Sequence, residues 1–263
     1  MRNLLLTISF LGNGYHGFQV QQNGLSVAQV LQDGIQQVLG RREPIKGCSR
    51  TDAGVHANRF YLSMKTEHPM ECGLLRKALD AVLPRDIAVT GCREVPLSFH
   101  ARYDCSGKRY LYLIWNAPWM SPFYQGRAYH QRARLDEVAL HQAAQDFLGT
   151  HDFSAFCSAG GGQDDRVRTI QEVSVKRKDE LITFSVKGDG FLYNMVRIMV
   201  GTLLDMGCGK LDMQAIPAII ASRDRRCAGW TVPPEGLYLD EVFYPPSVLQ
   251  LDGEEWKAAD GEK

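Results

Sequence analysis

Hydrophobic periodicity switches between two and 3.6 residues in the same order twice along this chain, which restricts its fold more than any other feature. Residues 4–10 read as a first strand and run into a polar, glycine-rich loop over residues 12–24. Ser26 with Gln29 three residues on is a capping-box pattern, and Val27, Val30, Leu31, Ile35, Val38 and Leu39 then repeat at helical spacing up to Gly40. Residues 59–66 alternate as a strand, a second helix carries Leu74, Leu75, Ala78, Leu79, Val82 and Leu83 and stops at Pro84, and residues 87–95 form another strand. From residue 108 the grammar repeats. Tyr110, Tyr112 and Ile114 face one way along a strand, and Leu111, Leu113 and Trp115 face the other. Asp136 caps a helix predicted to reach Leu148 and close at Gly149, and strands follow at 167–176 and 181–187. An apolar helix over 191–206, a shorter one over 213–221 interrupted by Pro217, and a strand over 237–244 complete the order. This pattern predicts an α+β fold of two similar α/β halves, a duplicated arrangement sharing one sheet. The halves are expected over residues 1–100 and 101–248, followed by an acidic tail over 249–263.

The chain has 263 residues, with 30 Lys+Arg against 30 Asp+Glu. That balance excludes uniform basic attraction to a polyanion, so any nucleic-acid surface must be local. One such patch is visible: residues 93–134 hold seven bases and two acids, interleaved with His100, Tyr103, Trp115 and Trp119. Seven cysteines without a CxxC or CxxxC pair, and no His pair at ligand spacing, predict reduced thiols in a cytoplasmic protein with no structural zinc. The longest apolar runs fall short of a membrane span. The apolar N-terminus lacks a small-residue cleavage site, so it reads as a strand and not a signal peptide.

Gly12-Asn13-Gly14-Tyr15-His16-Gly17 matches GxGxxG after a strand, but no helix opens at those glycines to receive a pyrophosphate. A nicotinamide-dependent oxidoreductase is therefore the weakest reading. The loop retains Tyr15, His16, Phe18, Gln19 and Gln21 as groups for a polar ligand. The densest stretch is Cys48-Ser49-Arg50-Thr51-Asp52-Ala53-Gly54-Val55-His56-Ala57. Its bland reading is an Asx-type turn. Arg50 and His56 can neutralise phosphate, whereas Asp52 beside them repels it, so the carboxylate needs a chemical task or a cationic partner. Arg197, inside an apolar helical run, either snorkels to the surface or is buried; a buried guanidinium without a carboxylate costs several kcal/mol, on the order of 3–5, which makes Asp52 its candidate partner. In Lys108-Arg109-Tyr110-Leu111-Tyr112, bases and aromatics alternate at strand period; a tyrosine here either packs in the core or stacks on a nucleobase. The charge clusters at 164–168 and 223–226 read as solvated turns, with Arg168 at a strand start as the exception.

Arg50-Thr51-Asp52-Ala53-Gly54-Val55-His56-Ala57 resembles the signature of the tRNA pseudouridine synthase A (TruA) family. The resemblance continues through Leu83-Pro84-Arg85-Asp86-Ile87-Ala88-Val89, Phe99-His100-Ala101-Arg102-Tyr103 and Lys108-Arg109-Tyr110-Leu111-Tyr112. It returns in Gly149-Thr150-His151-Asp152-Phe153-Ser154-Ala155-Phe156, Arg168-Thr169-Ile170, Met195-Val196-Arg197 and Glu235-Gly236-Leu237-Tyr238-Leu239. It implies two α+β halves on a continuous, mainly antiparallel sheet with a cleft between them, acting as a homodimer on tRNA without metal or cofactor. The implied reaction isomerises uridine to pseudouridine at positions 38 to 40 of the anticodon arm. The implied catalytic residues are Asp52, Tyr110 stacking on the target uracil, and Arg197 paired with the aspartate; Arg50 displaces the target nucleotide. His56, Gln19, Arg102, Lys108, Arg109 and Arg168 join Tyr110 and Arg50 as the expected substrate contacts. The sequence departs from the family pattern at Phe10-Leu11-Gly12, Gly17-Phe18-Gln19 and Ser49, all on the RNA-gripping side. A synthase with another RNA target, or a non-catalytic RNA-binding protein on the same fold, remain the alternatives.

Overall fold

A computed structural model describes residues 1–160 and 164–249. Its contacts divide the chain into two compact units, Met1–Ser106 joined by the segment from Glu241 on, and Gly107–Asp240. Both are mixed α+β, built on mainly antiparallel strands.

In unit 1 the elements are β1 (Arg2–Phe10), α1 (Val27–Leu39), β2 (Ile45–Gly47), β3 (His56–Thr66), α2 (Cys72–Val82) and β4 (Ile87–Val95). Strand β1 lies between β4 and β3, antiparallel to both, and β2 adds to β3. The register sets Leu4 opposite Met64, Leu6 opposite Leu62 and Ile8 opposite Phe60. With side chains alternating across a strand, these six share one face, and all are fully buried. Helix α1 begins as the sequence predicts: the Ser26 hydroxyl accepts from Gln29 N–H at 3.2 Å. It ends at Gly40, whose left-handed backbone returns its N–H to the Gln36 carbonyl. The helices contribute Val27, Leu31, Ile35, Leu75 and Leu79 to the core.

In unit 2 the elements are β5 (Gly107–Trp115), β6 (Tyr129–His130), α3 (Glu137–Ala144), β7 (Gly149–Asp152), β8 (Val167–Lys178), β9 (Leu181–Gly188), α4 (Met195–Gly207) and α5 (Ile216–Ser222). Strand order is β5-β9-β8-β7, all antiparallel, with β6 parallel to β5. Tyr110, Tyr112 and Ile114 are buried while Leu111, Leu113 and Trp115 are half-exposed, as the alternation predicts. The last strand, β10 (Leu237–Phe243), contains the division between the units.

Four sequence expectations change. Asp136 caps α3 through Val138 and Ala139, but the helix tightens to a 3₁₀ turn at Gln145–Phe147, and Gly149 opens a strand instead of closing a helix. Helix α4 starts at Met195 and not at 191, because Asn194 takes a left-handed conformation that breaks the helical run. Pro217 lies in the first turn of α5, where its missing N–H costs nothing, so it initiates that helix instead of interrupting it. The short strands β2, β6 and β7 escaped a periodicity reading, which needs longer runs. Of the expected acidic tail, residues 250–263 lie outside the described residues. Among the described residues, no helix is long and apolar enough to cross a membrane.

Candidate active site

The Asp52 loop of unit 1 is a turn closed by the Val55 N–H on the Asp52 carbonyl at 3.2 Å. Gly54, third in the turn, has φ +79°, the value a type II turn requires and L side chains resist. Asp52 is half-buried at the head of this turn and Arg50 is exposed just before it. The glycine-rich loop clamps the turn from outside. Phe18 N–H donates to the Thr51 carbonyl at 3.3 Å, and Gly54 N–H to the Tyr15 carbonyl at 3.2 Å. Gly17 adopts φ +78°, and any Cβ there would collide with the Thr51 carbonyl oxygen. The loop is itself anchored on the 83–87 segment: Leu11 N–H donates to the Asp86 carbonyl at 2.9 Å, and Tyr15 Oη to the Asp86 carboxylate at 2.8 Å. Burial, then that carboxylate, raise the Tyr15 phenol well above its ordinary range, so it stays a neutral donor.

Part of the expected ligand set faces inward in this arrangement. Tyr15 and Phe18 are buried, Phe18 stacking on Phe60 at 4.2 Å between ring centroids. His56 is fully buried, and its Nδ1 accepts from the Gly12 N–H at 3.0 Å. A ring with no accessible surface and an occupied nitrogen braces the loop. Gln19 and Arg50 do face outward, and with Arg102 they line a depression of about 370 Å³ in unit 1. Three of the expected substrate contacts are thus brought together there.

In unit 2 three of the remaining candidates, Tyr110, Arg168 and Arg197, gather around one loop, residues 189–194, between β9 and α4. Tyr110 on β5 is nearly buried and meets Phe191 edge-to-face at 5.1 Å. Thr169, next to Arg168 at the start of β8, exchanges hydrogen bonds with Asp189: backbone to backbone at 3.1 Å, and N–H to carboxylate at 3.0 Å. Arg197 is the third residue of α4, in its first turn and not in its interior. A cation there opposes the positive end of the helix dipole. Acceptors offset this: Arg197 Nε donates to the Val232 carbonyl at 2.7 Å, and an η nitrogen to Asn194 Oδ1 at 2.8 Å. Asn194 in turn donates to Ser158 Oγ at 3.0 Å. The sequence reading missed Asn194 and Phe191; an Asn before an apolar helical run is the signal that was available.

The other candidates are surface groups. Arg109 reaches Glu172 at 3.3 Å, and Lys187 reaches the same carboxylate at 2.9 Å, holding Glu172 below the usual carboxylate range. Lys108 is half-exposed on β5. Tyr112, by contrast, is a core residue, fully buried with its hydroxyl on the Pro233 carbonyl at 2.8 Å. Arg226 pairs with Asp224 on the surface at 2.6 Å, as expected of a solvated turn. Among the described residues, no group of three His, Cys, Asp or Glu side chains is placed to hold a metal ion.

Comparison with known proteins identifies the family. The sequence profile of a family described as tRNA pseudouridine synthase matches residues 6–104 and 143–245, which carry the Asp52 loop and the 189–197 segment. A tRNA pseudouridine synthase A of Acetivibrio thermocellus is 46% identical over 244 residues, covering 93% of this chain and 100% of that protein. One of Ruminiclostridium cellulolyticum is 44% identical over 246 residues with the same coverage. A tRNA pseudouridine synthase A 2 of Clostridium tetani is 38% identical, covering 92% of this chain and 99% of its own. With both halves matched and full-length relatives this close, the chain belongs to the tRNA pseudouridine synthase family.

Proposed function

We propose that this enzyme, a tRNA-modifying isomerase by family, converts uridine to pseudouridine in the anticodon arm at positions 38 to 40, with Asp52 as the nucleophile or base. The observation that carries the reading is the Asp52 turn, a carboxylate held half-exposed by backbone hydrogen bonds from a second loop. Such fixing positions the reacting group before substrate arrives and limits the reorganisation needed in the transition state.

The chemistry needs little else. The N-glycosidic bond of uridine breaks and the base re-attaches through carbon 5, so the sugar passes through an electron-poor state as in glycoside hydrolysis. One ionised carboxylate serves, by attacking the sugar or by removing a sugar proton. A guanidinium favours that ionised form, the role assigned to Arg197. The target base must leave its stack, at a cost of a few kcal/mol, and stacking on Tyr110 returns part of this. Arg50 displaces the nucleotide; Gln19, Arg102, Lys108, Arg109 and Arg168 hold the RNA. The enzyme works as a homodimer in the cytoplasm, in keeping with seven cysteines that lack metal or redox spacing.

A second reading keeps the reaction and changes the target. Phe18 and Ser49, where the sequence departs from the family pattern, line the same depression as Arg50 and Gln19. Mapping pseudouridine in unmodified tRNA transcripts after incubation with the protein separates the two. Product confined to positions 38 to 40 supports the first reading, and product only elsewhere supports the second.

A further inference from the structure

We propose that the depression of unit 1 is a binding site for one unpaired nucleotide of the substrate RNA other than the one that reacts, with Tyr103 as its base platform and Lys46, Arg50 and Arg102 as its phosphate contacts. This deepens the reading above and rests on RNA being the substrate.

Charge is the first support. In a chain with equal numbers of acids and bases, the side chains lining this hollow include Lys46, Arg50, Arg102 and His100 and no carboxylate. Such a lining attracts an anion and offers no competing internal partner.

The second support is an aromatic ring that is exposed yet fixed. Tyr103 is 76% exposed. Singly exposed hydrophobic side chains are ordinary on protein surfaces. This one stands on a loop that hydrogen bonds hold at every residue. His100 N–H donates to the Asp104 carboxylate at 2.7 Å, Arg102 N–H to His100 Nδ1 at 3.1 Å, and Tyr103 N–H to the His100 carbonyl at 3.2 Å. Ala101 is tied on both sides, its N–H to Ser63 Oγ at 3.3 Å and its carbonyl to Tyr244 Oη at 2.5 Å. The ring itself rests on His100 at 4.3 Å between centroids, with the Arg102 guanidinium 5.9 Å from its centre. A platform ordered in advance loses little entropy when a base stacks on it.

Size and polar lining complete the match. About 370 Å³ is within the range of small-ligand pockets, and Gln19 and Gln32 supply amide donors and acceptors that can meet a base edge. Arg50 and Gln19 also belong to the two loops that build the Asp52 turn, so an occupant here is coupled in sequence to the reacting carboxylate. A nucleotide gripped at this point would set which uridine of the arm is presented.

The test uses full-length protein carrying Tyr103→Ala, Tyr103→Phe or Lys46→Gln. Two readouts are taken: tritium release from carbon-5-labelled tRNA transcripts, giving kcat and KM separately, and anisotropy of a fluorescein-labelled anticodon-arm RNA. Tyr103→Ala is expected to raise KM and Kd about tenfold with kcat within about twofold, and Tyr103→Phe to behave as wild type. Lys46→Gln is expected to weaken binding and lower the salt slope by about one. Tyr103→Ala with KM and Kd within about twofold of wild type would overturn the site while leaving the synthase reading intact, as would a loss confined to kcat. If wild type releases no tritium, the synthase reading fails by itself. The labelled RNA still decides the site, since loss of binding in Tyr103→Ala supports it and unchanged binding removes it.

Discussion

Unit 1 holds the carboxylate proposed to react, Asp52, on a loop, whereas unit 2 holds its aromatic and cationic candidates on a strand and at the start of a helix. The loop of unit 1 has no ladder of its own, so its shape comes from elsewhere: a left-handed glycine, a buried histidine and a tyrosine–aspartate pair. In unit 2, Tyr110 takes its direction from strand alternation and Arg197 from helix geometry trimmed by Asn194. A group on a regular element inherits its orientation from many neighbours, while a group on a loop depends on a few specific bonds. Unit 1 should therefore lose its site through single small changes that unit 2 tolerates.

The largest effect is expected at Gly17. Replacing it by Ala imposes a left-handed backbone on a residue with a side chain and drives Cβ into the Thr51 carbonyl. The cost should exceed about 2 kcal/mol and appear as a lowered urea midpoint together with lost turnover. An unchanged midpoint would remove the clamp from the account. A smaller effect separates His56 from Arg50. His56→Ala should destabilise by about 1–3 kcal/mol, leaving the buried Gly12 N–H without its acceptor, while the salt dependence of tRNA binding stays as in wild type. Arg50→Ala should do the reverse, with stability unchanged and the salt slope reduced by about one. A reduced salt slope in the His56 variant would return that residue to the phosphate contacts.

The smallest expected effect is on pH dependence, and it belongs to unit 2. Glu137, Asp152 and Glu172 are held below the usual carboxylate range, chiefly by hydrogen bonds from Arg177, Ser154 and Lys187 respectively. Asp224, bonded to Arg226, is lowered to about 2. A carboxyl more acidic in the folded state stabilises above its unfolded pKa of about 4 and loses that contribution as pH falls through the folded value. Hydrogen exchange followed between neutral pH and pH of about 3 should show protection in β8 and α3 falling as the carboxylates protonate. Protection there that rises on acidification would contradict these pairings.

The same contrast explains what the sequence revealed. Strand β5, helix α1 and helix α2 were legible because alternation, a Ser26 cap and Gly40, and a Pro84 stop are local signals that the core later reinforces. Arg197 was legible as an anomaly, a cation in an apolar run, although its place at the helix start depended on Asn194. The Asp52 loop was legible only through its motif, since no periodicity describes a turn built by a second loop. The buried place of His56 was hidden for that reason. A histidine between small residues looks like an anion contact until the Gly12 N–H, 44 residues earlier, is found on its ring. The depression beside Arg50 was invisible as a whole, because Gln19, Lys46 and the Arg102-Tyr103 pair come from separate segments that only the fold gathers.

The most direct test of the central claim is tritium release from tRNA transcripts labelled at uridine carbon 5, comparing wild type with Asp52→Asn. Pseudouridine formation expels that hydrogen, so the signal reports bond exchange at the base itself. Release by wild type is expected and none above background from Asp52→Asn, with tRNA affinity within about threefold, since an isosteric amide keeps the turn but cannot attack or take a proton. Release by the variant at more than a few per cent of the wild-type rate would contradict the assignment of Asp52 to the chemistry.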